Sequence, residues 1–196
     1  LIVVQEVAGS SPVFHPNLNL REIGDFCLYY YKIMIKQIFI GLLALLTIIQ
    51  FIKIEKNESN DLSYTISKSY TISNELNQLL KVSCYDCHSN NTNYPWYSKI
   101  QPVAWWLDHH VQDGKKHLNF SEFTKNRIAI QNHKFEEIIE MVEGKEMPLP
   151  SYTFLGLHPE ANLTNKQREL VINWGNNQIN YLKENFPEDS LVFRRK

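Results

Sequence analysis

Cys84 and Cys87 stand two residues apart in the sequence, and His88 follows directly after them. This Cys-x-x-Cys-His order is the attachment signature of c-type haem. Two thiols one helical turn apart can each bond to a vinyl group of a porphyrin, and the adjacent histidine then presents a ring nitrogen to the iron. Because such a segment must lie against a large flat apolar group, it constrains the fold strongly. The motif predicts one covalent haem c as the cofactor.

Other chemistry for the two cysteines has weaker support. A dithiol redox site belongs to a βαβ context, for which the sequence shows no pattern. A zinc site needs four ligands, and Cys27, the third cysteine, precedes a long apolar segment. A structural pair of free thiols in an exported protein is liable to oxidation. Haem is therefore favoured over these three alternatives.

The N-terminal part of the chain has the layout of an export signal. Met34 and Lys36 precede an apolar run over residues 38–52, and no small-x-small cleavage site or lipidation cysteine follows this run. The sequence predicts an uncleaved signal anchor or transmembrane segment over residues 34–54. Residues 1–33 precede the first methionine, and we interpret them as translated upstream DNA, with a short tail as the alternative.

The lysines near this segment do not decide its orientation. Lys32 and Lys36 on one side are balanced by Lys53 and Lys56 on the other. Haem attachment to thiols occurs outside the cytoplasmic membrane in bacteria. We therefore expect the Cys84 motif on the periplasmic side of the inner membrane, anchored by residues 34–54.

The remainder of the chain predicts one all-α domain. Residues 55–72 are rich in Asn, Ser, Lys and Glu without helical periodicity and are predicted to be a linker, and residues 186–196 a C-terminal tail. Between them, residues 73–185 show no alternating strand pattern and form the predicted haem-binding domain. Four helices are expected: from Ser73 into Cys84, from Pro102 until Gly114, from Lys134 to Val142, and from Thr164, which forms a capping box with Gln167.

Met147 is the predicted second axial ligand of the iron. It lies in a loop beside Pro148 and Pro150, which stiffen the chain around its sulfur. A thioether is a soft ligand that raises the reduction potential and favours electron transfer. The rival ligands are Met141, His109, His110, His117, His133 and His158.

Aromatic residues are dense directly after the cysteine motif, and they can form the walls of a porphyrin site. Their rings offer apolar surface, and their hydroxyl and indole N–H groups can bond to propionates. An ordinary aromatic core is the alternative. The residues are Tyr94, Trp96, Tyr97, Trp105 and Trp106.

Several motifs in order resemble the small haem-binding domain family of exported bacterial proteins, over about residues 73–180. They are C-x-x-C-H-S at 84–89, T-x-Y-P-W-Y at 92–97, P-x-A-W-W at 102–106, M-P-x-x-x-Y at 147–152, H-P-E-A-x-L-T at 158–164, and Trp174. Gly156 makes the spacing before H-P-E-A one residue longer than usual. The resemblance implies a cytochrome c-like helical domain and no settled physiological activity.

These features predict an electron carrier rather than an enzyme. The formal net charge of −1 removes the main electrostatic argument for nucleic-acid binding. We expect a membrane-tethered monohaem cytochrome that exchanges electrons with a redox partner whose identity the sequence leaves open. One alternative is a haem-based sensor or peroxidase-like enzyme with an open or labile distal site, and another is a haem-bearing structural or partner-binding subunit.

Overall fold

The computed structural model describes residues 20–193, which form two compact units that divide between Ile52 and Lys53. The first unit contains one long helix, α1 (Leu20–Ile49). Its Gly24–Ile49 portion has a mean hydropathy of 2.0 and is long and apolar enough to cross a membrane. These 26 residues span about 39 Å at the helical rise of 1.5 Å per residue, against about 30 Å of hydrocarbon core. An N-terminal apolar helix that could serve as a signal anchor is therefore present.

Helix α1 extends on both sides of Met34, which differs from the predicted boundary. Residues 20–33, which the sequence analysis assigns to mistranslation or a tail, are the first part of α1. The helix ends at Ile49 and continues as hydrogen-bonded turns to Ile52. Residues 1–19 lie outside the described part of the chain, so the prediction for that portion has no structural counterpart.

The second unit is helical, which confirms the all-α prediction. Its helices are α2 (Asn74–Ser83), α3 (Tyr85–His88), α4 (Val103–His117), α5 (Ile128–Glu143), α6 (Pro150–Thr153), α7 (Asn165–Asn185) and α8 (Glu188–Leu191). Short 3₁₀ turns lie at Ile66–Lys68, Trp96–Lys99, Phe123–Lys125, Phe154–Gly156 and Pro159–Ala161. Over residues 20–193 there is no β-strand, and the one isolated β-bridge pairs Glu58 with Asn91.

The core of this unit lies between α5 and α7. Phe135 on α5 is fully buried and meets Trp174 on α7 edge to face, with ring centroids 5.4 Å apart. Gly175 allows this close approach, because a Cβ there would lie 2.8 Å from the Ile139 side chain. The predicted Thr164–Gln167 capping box begins α7, and it satisfies backbone groups that the first helical turn leaves unpaired.

Two predicted helix boundaries are wrong. Helix α4 passes through Gly114 and ends at His117, where three basic residues in the last turn suit the negative end of the helix dipole. Helix α5 begins at Ile128 rather than Lys134. Its first turns bury the polar residues Gln131 and Asn132, so they break the apolar periodicity on which the prediction depended.

The predicted linker, residues 55–72, is also corrected by the structure, because it packs into the second unit. Ile66 is 1% exposed and Tyr70 is 3% exposed, and the Tyr70 hydroxyl donates to Gln131 Oε1 at 2.6 Å. These contacts join residues that are far apart in the sequence, so a local hydrophobic pattern does not predict them. The predicted tail, residues 186–196, contains helix α8 with Leu191 buried.

Candidate haem-binding site

Helix α2 positions the cysteine motif. Ser73 caps its first turn by accepting a hydrogen bond from the backbone N–H of Leu76 at 3.2 Å. Leu76, Leu79 and Leu80 bury one face of the helix in the core. Cys84 follows at the end of α2, and the one-turn helix α3 carries Cys87 and His88.

Both thiols of the motif are shielded from water by burial. Burial raises the pKa of the Cys84 thiol to about 11, and the Cys84 sulfur lies 3.3 Å from the Ser83 hydroxyl. Burial also raises the pKa of Cys87 to about 11, with the Asp86 carboxylate as a smaller contribution. A redox-active dithiol requires a lowered pKa, so these thiols do not have the electrostatics of such a site.

The ring of His88 is fixed by the end of α4. Its Nδ1 lies 2.9 Å from the carbonyl oxygen of Gly114 and 3.0 Å from that of Leu118. Carbonyl oxygens only accept hydrogen bonds, so Nδ1 carries the hydrogen and Nε2 keeps its lone pair. Burial lowers the pKa of His88, which favours the neutral ring. This tautomer and orientation suit a histidine that ligates a metal through Nε2.

Gly114 allows α3 and α4 to meet. A Cβ at position 114 would lie 2.6 Å from the carbonyl oxygen of Cys87 and 3.1 Å from its Cβ. Its absence therefore brings the Gly114 carbonyl within reach of His88 Nδ1. The sequence predicts only a helix stop at Gly114 and carries no signal for this role.

The motif residues fit a haem. Within residues 20–193, no group of three or more His, Cys, Asp or Glu side chains is placed to hold a metal ion by itself. An iron held by His88 would take further ligands from a porphyrin ring. Elements near the motif expose large apolar side chains that a porphyrin could cover: Trp96, Ile100, Val103, Trp105, Trp106, Phe154 and Leu157.

The predicted aromatic wall divides into two groups. Trp96 and Trp105 expose 73% and 38% of their surface. The two tyrosines are partly buried, and both are hydrogen-bonded. The Tyr94 hydroxyl accepts from the backbone N–H of Asn57 at 2.8 Å, and the Tyr97 hydroxyl lies 2.8 Å from His158 Nε2.

Met147 has a fixed backbone at the C-terminal end of α5. Its N–H donates to the carbonyl of Met141 at 3.1 Å, and its carbonyl accepts from Arg168 Nη1 at 2.9 Å. The reversal that precedes it passes through Lys145, whose φ of 59° is in the left-handed region. Both backbone groups are bonded, so the main chain at Met147 is held in place, and its side chain is half-buried.

Several rival ligands have other partners. His110 Nδ1 contacts the carbonyl of Trp106 at 2.8 Å, and His109 beside it is exposed. His117 is exposed and lies 3.9 Å from Asp113, while His133 contacts Glu136 and Glu137. Met141 is half-buried within α5, and His158 belongs to a cluster with Tyr97 and Tyr152.

Asn57 is a site residue that sequence reasoning missed. It is 7% exposed, and its Nδ2 donates to the Ser89 carbonyl at 2.8 Å and to Thr92 Oγ1 at 2.9 Å. Its Oδ1 accepts from Lys115 Nζ at 2.6 Å. One side chain thus joins the start of the second unit, the segment after the motif and α4. A single asparagine in a polar stretch gives no sequence signal for such a role.

Comparison with known proteins agrees with this geometry. The model of a family described as a haem-binding domain matches residues 44–177, which include the cysteine motif, Met147 and most of the helices. The match begins within α1, well before the predicted domain boundary at residue 73. No curated protein and no solved structure gives a significant match. The chain belongs to the haem-binding domain family.

Proposed function

We propose that this protein is a membrane-tethered monohaem c-type cytochrome that transfers electrons on the periplasmic side of the bacterial inner membrane. The observation that carries the proposal is the tautomer and orientation of the His88 ring. Two carbonyl oxygens hold its Nδ1–H, so Nε2 is left as an iron ligand next to two cysteines. A haem bound there would supply a one-electron iron couple.

The two cysteines would hold the haem covalently. They flank one turn at the junction of α2 and α3, on the same short segment as His88. Attachment at two points directly before His88 would keep the porphyrin in register with the imidazole ring.

Met147 would be the second axial ligand. Its backbone is bonded to Met141 and Arg168, so its position does not depend on the ligand bond itself. A fixed thioether excludes water from the distal position and raises the reduction potential. Both effects favour electron transfer over reaction with small molecules, and the protein is then an electron carrier rather than an enzyme.

Membrane attachment follows from α1, and the side of the membrane from the chemistry of the motif. The apolar helix Gly24–Ile49 would anchor the chain, and thioether formation in bacteria takes place outside the cytoplasmic membrane. The redox partner would be another protein of that compartment.

Absorption spectra of both oxidation states, with and without carbon monoxide, test this function. The natural protein should be unchanged by carbon monoxide and should show the weak sulfur-to-iron charge-transfer band in its oxidised form. Met147→Leu keeps the volume of the side chain but removes the sulfur, so it should abolish the band, open the iron to carbon monoxide and lower the reduction potential.

Met141→Leu is the matched control and should leave both spectra unchanged. Carbon monoxide binding by the natural protein would instead favour a sensor or enzyme with an open distal site. A Met147→Leu variant with the natural spectrum, beside a histidine variant that loses low-spin character, would overturn the ligand assignment.

A further inference from the structure

Residues of three separate sequence motifs meet beside the cysteine segment. Tyr97 ends the T-x-Y-P-W-Y motif, Tyr152 ends M-P-x-x-x-Y, and His158 begins H-P-E-A. The structure connects all three, directly or through one another, to Asp86, the residue between the two cysteines. The proposed haem ligation does not use this cluster.

The bond between Tyr152 and Asp86 joins the cluster to the cysteine segment. The Tyr152 hydroxyl donates to Asp86 Oδ2 at 2.7 Å, while Asp86 Oδ1 accepts from the backbone N–H of Asn93 at 3.0 Å. The carbonyl of Asp86 accepts from Thr92 Oγ1 at 2.6 Å. Asp86 is thus a fixed acceptor, and a hydrogen bond to a charged group contributes more than a neutral one.

Tyr152 stays protonated and can therefore donate. Burial raises its pKa, and the hydrogen bond to Asp86 adds to the effect. Its ring stacks on His158 with centroids 4.1 Å apart and planes inclined by 7°. His158 exposes only 13% of its side chain, its Nδ1 faces Glu160 Oε1 at 3.5 Å, and its Nε2 meets the Tyr97 hydroxyl at 2.8 Å.

These contacts attach the loop after Met147 to the cysteine segment. Arg168 holds the carbonyl of Met147 on one side, and Tyr152 is five residues further along the chain. The carboxylate that receives Tyr152 lies in α3, between the cysteines that would hold the haem. The loop is therefore bonded to the same segment that carries the histidine ligand.

We propose that Tyr152 and Asp86 are a positioning pair that holds the Met147 loop closed, so that the sulfur stays on the iron in both oxidation states. His158 and Tyr97 support the pair by stacking and by a second hydrogen bond. This inference rests on the proposed Met147 ligation. The pair itself does not contact the iron. It acts on the Met147 sulfur only by holding the loop in place.

The test compares four single variants of the full haem-loaded chain and the double variant that combines Tyr152→Phe with Asp86→Ala. Tyr152→Phe removes only the hydroxyl, and Asp86→Ala removes its acceptor. Asp86→Asn keeps one of the two acceptor oxygens but loses the other and the charge, so it serves as the partial variant. Tyr85→Phe is the matched control, because that tyrosine is adjacent to Asp86 but its hydroxyl contacts Asn77 on α2 at 3.3 Å.

Three readouts are measured on each variant: the sulfur-to-iron charge-transfer band, the affinity of the oxidised protein for added imidazole, and amide hydrogen exchange in residues 147–158. Tyr152→Phe and Asp86→Ala should weaken the band, raise the imidazole affinity roughly tenfold to a hundredfold and speed exchange in the loop. The double variant should be no more affected than either single one. Asp86→Asn should lie between the natural protein and Asp86→Ala, and Tyr85→Phe should stay close to the natural protein.

Unchanged loop exchange in Tyr152→Phe would overturn the proposal, and so would faster exchange with an unchanged band and imidazole affinity. If the natural protein itself lacks the charge-transfer band, the Met147 ligation fails, and the positioning role fails with it. If the natural protein shows the band and Tyr152→Phe retains it at full strength, the positioning role is contradicted and the Met147 ligation is not.

Discussion

At the scale of single residues, the orientation of the His88 ring depends on Gly114. The glycine lets α4 approach the cysteine segment, and the same residue supplies a carbonyl to His88 Nδ1. The imidazole is therefore oriented by backbone groups rather than by a carboxylate. A side chain at position 114 would separate the two elements and turn the ring.

Gly114→Ala is therefore expected to destabilise the haem-loaded protein. Alanine gains up to about 1 kcal/mol of helix propensity, but overpacking against the Cys87 backbone costs about 1–3 kcal/mol, and a backbone oxygen cannot move aside without shifting α3. We expect a net loss of about 1–2 kcal/mol, measured as a lower thermal midpoint by circular dichroism.

Gly41→Ala in α1 is the control, because an added Cβ there meets nothing within 4 Å. It should leave the midpoint of the second unit unchanged. A Gly114→Ala protein as stable as the natural one would contradict the close-approach argument.

At the scale of elements, residues 55–72 show which features of the fold can be predicted from the sequence and which cannot. Local signals were sufficient to predict the Thr164–Gln167 capping box and the start of α2 at Ser73. A helix cap and an apolar stripe each depend on residues that are close together in the sequence. Ile66 and Tyr70 are buried, and Tyr70 is bonded to Gln131, 61 residues further along the chain. No local pattern encodes such contacts.

The same distinction applies to the site. The cysteine motif and the Met147 loop could be recognised because their chemistry is carried by adjacent residues. The hydrogen bonds from His88 to α4 and from Tyr152 to Asp86 join residues 26 and 66 positions apart. Their partners are defined only by the fold.

Shortening the chain tests the role of residues 55–72. A protein that begins at Lys53 behind a cleavable signal should fold and bind haem, because it keeps every core residue of the second unit. One that begins at Ser73 loses two buried core side chains, Ile66 and Tyr70, each worth several kcal/mol, out of a typical total of about 5–15 kcal/mol. We expect it to be largely unfolded by circular dichroism and to hold little haem. Equal thermal midpoints for the two proteins would restore the linker interpretation.

At the scale of the whole molecule, α1 and the cysteine motif of the second unit together predict the topology of the chain in the membrane. The anchor should keep the protein in the membrane fraction, and the thioether chemistry should place residues 53–196 outside the cytoplasm. Protease added to spheroplasts should therefore degrade this unit, while intact cells protect it. Replacement of α1 by a cleavable signal should release a haem-loaded protein into the periplasmic fraction. Protection of the unit in spheroplasts would contradict the assigned side.

The central claim is that Cys84 and Cys87 hold one haem covalently with His88 as its ligand, and mass spectrometry of the denatured protein tests it most directly. The protein would be purified from a bacterial host that has haem-attachment machinery. The account predicts a mass equal to the polypeptide plus one haem, and a proteolytic peptide spanning residues 84–88 that carries the whole increment. Cys84→Ala with Cys87→Ala should remove it. A natural protein that runs at the mass of the bare polypeptide, with its haem extracted by acid acetone, would contradict the claim.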